Sequence, residues 1–270
     1  MAKFIAAAIQ MASTGDIQEN LRQAGALLEE AAKRGAALAA LPEYLHRLGR
    51  RSAECAEEVP GGETFCFLAQ KAKELNLWIL GGSVMEKNPG GLPFNTSMLI
   101  APDGTLAAKY RKAHLFDVDI PGGVSVQESA RMAKGEKPVT VEAPGLCTLG
   151  MSICYDARFP EIYRLMAMAG AEVFLVPADF TYQTGRAHRE LLLRARAVEN
   201  GCYVIAPQQC HEKSCGETMI IDPWGRVLQK MDMETGVITA EIDTDLVAQT
   251  RQSVGIFTNR RTDLYEIGWK

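Results

Sequence analysis

Short apolar runs alternate with amphipathic helical stretches along the whole chain, and that alternation rules out an all-α or an all-β domain. Residues 4–11 read as a strand, 17–34 as an amphipathic helix and 37–41 as a buried strand running into Pro42. A helix at 64–75 precedes strands at 78–81 and 95–101, and Asp103-Gly104 marks a hairpin turn into a strand at 106–110. Further on come a strand at 148–153, a helix at 160–169, a strand at 173–177 and a long helix at 187–200. Strands at 203–206, 218–221, 227–231 and 237–242 complete the pattern. Alternation mixed with hairpins fits sheets that carry helices on one face and pack face to face on the other. It fits equally a doubly wound sheet with an antiparallel edge. No repeat or linker interrupts residues 1–270, so one domain is the economical reading. The glycine-rich stretch 121–135 reads as a long loop, and long loops in compact domains tend to be functional.

A chain of 270 residues buries enough surface to fold without disulfide or metal staples. The net charge of −4 gives no electrostatic footprint for nucleic acid and points to small molecules. Seven cysteines, an odd number at scattered spacings, point to reduced thiols and a cytoplasmic location. The apolar run that opens the chain stops at Gln10, too short for a secretory signal. Nothing approaches the ~20 apolar residues of a membrane span.

No G-x-G-x-x-G, G-x-x-x-x-G-K-[ST] or H-E-x-x-H is present, which weakens dinucleotide, nucleoside-triphosphate and zinc-protease readings. Gly150-Met151-Ser152-Ile153-Cys154 fails as a serine nucleophile elbow, because Cys154 stands where glycine is needed. Cys154 itself closes an apolar strand and precedes Tyr155-Asp156-Ala157-Arg158-Phe159-Pro160-Glu161, with a helix starting at the proline. A thiol at such a junction sits where backbone N–H groups favour thiolate and a developing oxyanion. The bland alternative is a small core hydrophobe. Glu43 lies just past the strand ending in Leu41-Pro42, and Lys112 follows another strand in Tyr110-Arg111-Lys112-Ala113-His114-Leu115-Phe116-Asp117. Taken singly, each could be a solvated surface charge. His114 or His188 could pair with Cys154, and Cys210-His211-Glu212-Lys213-Ser214-Cys215 has loose zinc spacing without a second ligand pair.

Together the three stretches resemble the nitrilase superfamily of carbon–nitrogen hydrolases. The chain carries a Leu-Pro-Glu strand end, a Tyr-Arg-Lys-x-His-Leu-Phe-Asp segment and an Ile-Cys-Tyr-Asp-x-Arg-Phe-Pro-Glu elbow, in the family's order. Gln127-Glu128-Ser129, residues 193–200, Asp222-Pro223-Trp224-Gly225 and residues 260–265 extend the likeness. The ω-amidase and deaminated-glutathione amidase branch is the most similar.

The resemblance implies an α-β-β-α sandwich, with two sheets packed face to face and helices on the outer faces. It implies a cofactor-free and metal-free amidase that splits a small carboxylate-bearing amide into acid and ammonia. Cys154 would be the nucleophile, Glu43 the base and acid, Lys112 the oxyanion stabiliser, and Glu128 a second glutamate of the site. Tyr155, Arg158, Asp179, Phe180, Arg186 and His188 are the candidate substrate contacts, Tyr155 also through its backbone N–H. The same triad would serve an N-carbamoyl hydrolase or a nitrilase. A homodimer or higher homo-oligomer is implied, with no nucleic-acid or membrane partner.

The chemistry follows from ordinary reactivity. A free thiol with pKa ~8.5 is only a few per cent thiolate at neutral pH. Glu43 would take its proton, Lys112 would favour thiolate and oxyanion, and Glu43 would then protonate the departing ammonia. This chain departs from the branch pattern at Asp179, at Gly185-Arg186-Ala187-His188-Arg189 and at Gly216-Glu217-Thr218-Met219. Arg186 and Arg189 could bind a carboxylate, or pair at the surface with Glu190 or Asp179.

Overall fold

Every residue of the first strand but Lys3 and Ile5 is buried, so both of its faces must be covered by packed structure. The structure, a computed structural model, describes residues 2–46 and 53–268. Strands β1 (Lys3–Gln10), β2 (Ala36–Ala40), β3 (Trp78–Leu80), β4 (Val84–Glu86), β5 (Phe94–Ile100) and β6 (Leu106–Arg111) belong to one sheet. Strands β7 (Val139–Glu142), β8 (Thr148–Met151), β9 (Val173–Leu175), β10 (Tyr203–Ala206), β11 (Met219–Ile221) and β12 (Val227–Lys230) form the second. The chain then returns through β13 (Gly236–Asp243) to pair antiparallel with β1. In the first sheet the order is β13-β1-β2-β3-β5-β4 with β6 on β5; in the second it is β12-β11-β10-β9-β8-β7.

Side-chain alternation along β1 assigns the layers. Ala6 and Ala8 join the core that holds Leu149, Met151, Val173 and Leu175 of the second sheet. Ala7 and Ile9 face the opposite way, onto helices α1 (Ile17–Lys33) and α2 (Glu63–Leu75). Helix α1 starts where the Asp16 carboxylate accepts the N–H groups of Gln18 and Glu19, and it buries Ile17, Leu21, Ala24, Leu28 and Ala31 at helical spacing. Helices α3 (Pro160–Met168) and α4 (Glu190–Asn200) cover the outer face of the second sheet, where Tyr163 meets Phe174 edge to face. The result is the α-β-β-α sandwich that the resemblance implies.

Three departures from the pattern reading have local causes. The three-residue strand β4 is too short to signal itself in the sequence, and the edge strand β7 and helix α5 (Thr244–Val254) give no clear signal because both are partly exposed. The stretch 121–135 is not one loop: Ser125–Gln127 pairs with Asp117–Asp119 as a ribbon, and Glu128–Ala130 forms a 3-10 turn. Regular helix begins at Glu190 rather than 187, after a wide π-helical turn over Gly185–Arg189 in which Arg189 is fully buried.

Candidate active site

Parallel strands leave the C-terminal ends of β2, β8 and β9 pointing toward the same end of the sandwich, the usual location for a site in such sheets. Glu43 follows β2, Cys154 follows β8 and Asp179 follows β9, while Lys112 directly follows β6. They line one cavity of about 350 Å³, its open mouth included, together with Tyr44, Phe116, Glu128, Tyr155, Phe180, Thr181 and Thr184.

Lys112 is the hub. Its Nζ donates to Glu43 Oε1 at 3.0 Å and to Glu128 Oε2 at 2.9 Å, and all three side chains are buried. Asn95 Nδ2 bridges the same carboxylates, donating to Glu43 Oε1 at 2.8 Å and Glu128 Oε1 at 3.3 Å. The Asp179 N–H donates to Glu43 Oε2 at 2.9 Å. Glu128 further accepts the Tyr44 hydroxyl at 2.8 Å and the Phe116 N–H at 2.7 Å. Cys154 occupies the left-handed region at φ 49° and heads the 3-10 turn Cys154–Arg158. Its N–H donates to Pro177 O at 2.9 Å, and its side chain lines the same cavity as the Glu43 carboxylate.

This packing decides the charges. Burial pushes the Glu43 carboxyl above its ordinary range, and Glu128 and Asp179 add to that against the pull of Lys112. Burial alone would lower Lys112, but Glu128 and Glu43 outweigh it and hold the ammonium well above the usual lysine range. Burial also opposes ionisation of Glu128, yet Lys112 and the Phe116 N–H bring it down to about 2. Burial, then Glu43, lifts the Cys154 thiol well above its ordinary value. Burial and Glu43 thus favour the protonated thiol over the thiolate at rest. Lys112 does pull the sulfur toward thiolate, as expected, but burial and Glu43 outweigh that pull.

The family model described as carbon-nitrogen hydrolase matches residues 5–252. The chain belongs to this family. It is 39% identical over 274 residues to the omega-amidase NIT2 of Bos taurus, covering 99% of this chain and 98% of that protein. It is 41% identical over 269 residues to the deaminated glutathione amidase of Synechocystis sp., covering 96% and 99%. Among solved structures, Saccharomyces cerevisiae Nit3, a member of branch 10 of the nitrilase superfamily, superposes with a TM-score of 0.87 at 30% identity, covering 96% of this chain and 97% of Nit3.

In this carbon–nitrogen hydrolase Glu43, Lys112, Glu128 and Cys154 meet around one cavity, and Tyr155, Asp179 and Phe180 line it. Arg158 stands beside it, its guanidinium over the rings of Tyr155 and Phe180 at 5.7 and 5.9 Å. Arg186 and His188 are not among the lining residues: Arg186 pairs with Glu217 and Asp232 at 3.0 Å each, and His188 contacts Arg158 at 3.2 Å. Arg189 is wholly buried on the carbonyl oxygens of Glu217 and Ala206. His114 is spent on Asp156 at 2.8 Å and stacks on Phe159, so it does not serve Cys154. No His, Cys, Asp and Glu grouping suited to a metal occurs among the described residues, and His211 of the 210–215 loop binds Asp179 instead. Asn95 was missed, although a buried strand opening Asn95-Thr96-Ser97 is an unusual polar run worth questioning.

Proposed function

We propose that this carbon–nitrogen hydrolase is an amidase acting on small carboxylate-bearing amides through a thioester on Cys154. The observation that carries the reading is the meeting of a thiol, a carboxyl group with raised proton affinity and a buried ammonium at one cavity. The two amidase relatives support the substrate class.

As the amide carbonyl settles against Cys154, the thiol passes its proton to Glu43 while sulfur attacks carbon. Attack and proton transfer are coupled, since the isolated thiolate is disfavoured. Lys112 and the Tyr155 N–H face the oxyanion that forms. Glu43 then gives its proton to the departing nitrogen, and ammonia leaves. Water attacks the thioester, Glu43 takes the water proton, and the thiol regains one as the acid departs. Glu128, held as a carboxylate, keeps Lys112 charged and pointed at the site. Arg158, beside the ring of Phe180, is the cation for the substrate carboxylate.

The same reading places the protein in the cytoplasm as a homodimer or higher homo-oligomer. All seven cysteines are free, no helix among the described residues is long and apolar enough to cross a membrane, and Leu191 and Val198 expose apolar surface on α4. Ammonia release from a panel of ω-amides, carbamoyl compounds and nitriles tests the activity. Release from carboxylate-bearing amides is expected. Carbon dioxide appearing with ammonia would mean carbamoyl cleavage instead, and ammonia from nitriles alone would mean nitrilase action.

A further inference from the structure

Asp179 lies in the wall against which the reacting amide must rest, because its N–H is bonded to Glu43 Oε2 at 2.9 Å. Its side chain has a separate tie. Oδ1 meets Nε2 of His211 at 2.9 Å, and Nδ1 of the same ring accepts the Lys213 N–H at 3.2 Å. A ring nitrogen that accepts carries no proton, so His211 is the neutral tautomer that donates from Nε2. The partner fixes the carboxylate without neutralising it. Asp179 Oδ1 is the carboxylate oxygen used in that tie, and the residue, its side chain 8% exposed, is among those that line the cavity.

The cations nearby are committed elsewhere. Lys112 is shared by Glu43 and Glu128, and Arg189 is buried on two backbone carbonyls. Arg158 lies over Tyr155 and Phe180 rather than against Asp179. The wall thus presents one anchored anionic oxygen beside the reacting groups, and one cation across the Phe180 ring.

We propose that Asp179 is a specificity-determining residue that takes a protonated amino group on the acyl chain, so that the preferred substrates are small amides bearing both an ammonium and a carboxylate. This rests on the amidase reading above and narrows it. A charge-assisted hydrogen bond to such an amino group is among the stronger neutral-pH contacts. An amide lacking the group leaves the partly buried carboxylate without that partner, which is how sites built for a donor reject its absence.

The test compares kcat/KM for three matched ω-amides, glutamine, its α-keto counterpart and glutaramate, in wild type and in Asp179→Asn. Taking the ratio of amino to non-amino substrate within each preparation cancels any loss of folded enzyme. The wild type is expected to favour the amino compound by about tenfold or more, and Asp179→Asn to lower that ratio by about tenfold, chiefly through KM. Equal use of the three amides by wild type would overturn the proposal. So would an equal fall on all three in Asp179→Asn, which would make Asp179 only a tether for the His211 loop. Absence of ammonia from every amide would overturn the amidase reading and the Asp179 assignment with it.

Discussion

Tyr110 donates a 2.7 Å hydrogen bond to Asp156 Oδ2, and this contact ties the strand that leads into Lys112 to the turn that begins at Cys154. Asp156 also accepts the Ile153 N–H at 2.9 Å and the His114 N–H at 3.0 Å, while Tyr110 Oη accepts the Ala113 N–H at 3.1 Å. Tyr110→Phe therefore strands the Ala113 N–H in a half-buried place. A destabilisation of about 1–3 kcal/mol is expected, read as a fall in Tm. Turnover should drop roughly tenfold to hundredfold as Lys112 and Cys154 lose registration. A lowered Tm with unchanged kcat would show that the tie serves stability alone.

Removing the sulfur tests the covalent step. Cys154→Ala and Cys154→Ser are both expected to cut ammonia release by about a thousandfold or more with circular dichroism unchanged. Mass spectrometry of wild type quenched during turnover should find an acyl group on the peptide containing Cys154. Substantial activity in either variant would exclude the thioester route.

The pH profile follows from the charges. Glu43 must be able to accept a proton, and its pKa is raised above 4.5, so kcat/KM should fall on acidification through a value above 4.5. On the alkaline side Cys154 lies well above 9.0 and Lys112 well above 10.5. No descending limb is expected before pH 9. An alkaline loss centred near neutrality would mean that Cys154 or Lys112 gives up its proton there, against the raised values that their surroundings impose.

Glu86 offers a stability test away from the cavity. Its carboxylate accepts Lys109 Nζ at 2.6 Å, Arg111 at 2.8 Å through both Nε and Nη2, and the Thr96 hydroxyl at 2.7 Å. Burial opposes ionisation, but these partners hold its pKa at about 2. A lowered carboxylate pKa stabilises the fold above the unfolded value of 4.5, and that contribution is lost as pH falls toward 2. Glu86→Gln should cost on the order of 2 kcal/mol at pH 7, allowing for solvent screening of the partly exposed Lys109 and Arg111. In urea unfolding the gap to wild type should narrow between pH 4.5 and pH 3. A gap that stays constant would mean that the carboxylate charge is not the source.

Positions just past strands made Glu43, Lys112 and Cys154 candidates, and only the three family motifs taken together gave them roles. Their neighbours across the fold were not legible. Asn95 sits 52 residues from the Glu43 it bonds, and nothing in its own segment announces that contact. The state of the sulfur depends on burial and on charges that arrive from separate elements, Glu43 raising the thiol and Lys112 lowering it, and their balance is not written in any one segment. The strand β7 and helix α5 escaped for the opposite reason, with apolar periodicity too weak to register. Arg189 looked like a surface fork, yet the π-helical turn carries it into the core.

Arg186 is the remaining place where pattern and geometry part. Its guanidinium is exposed, joins Glu217 Oε1 and Asp232 Oδ1 at 3.0 Å each, and stands 5.6 Å from the Tyr182 ring. Both arms are occupied away from the cavity, so reaching a substrate carboxylate would require breaking two ion pairs. The pair with Asp232 is exposed and weak, and buried Glu217 keeps Lys230 at 2.9 Å, so the stability lost in Arg186→Ala should stay near or below about 1 kcal/mol. Its kcat/KM on carboxylate-bearing amides should stay within about threefold of wild type, since uniform substrate binding is untouched. The corresponding Arg158→Ala should raise KM by tenfold or more with a smaller effect on kcat, as expected when a charged substrate anchor is removed. The opposite ranking, a large KM rise in Arg186→Ala and none in Arg158→Ala, would show that the π-helical turn rearranges on binding and that the carboxylate anchor lies there.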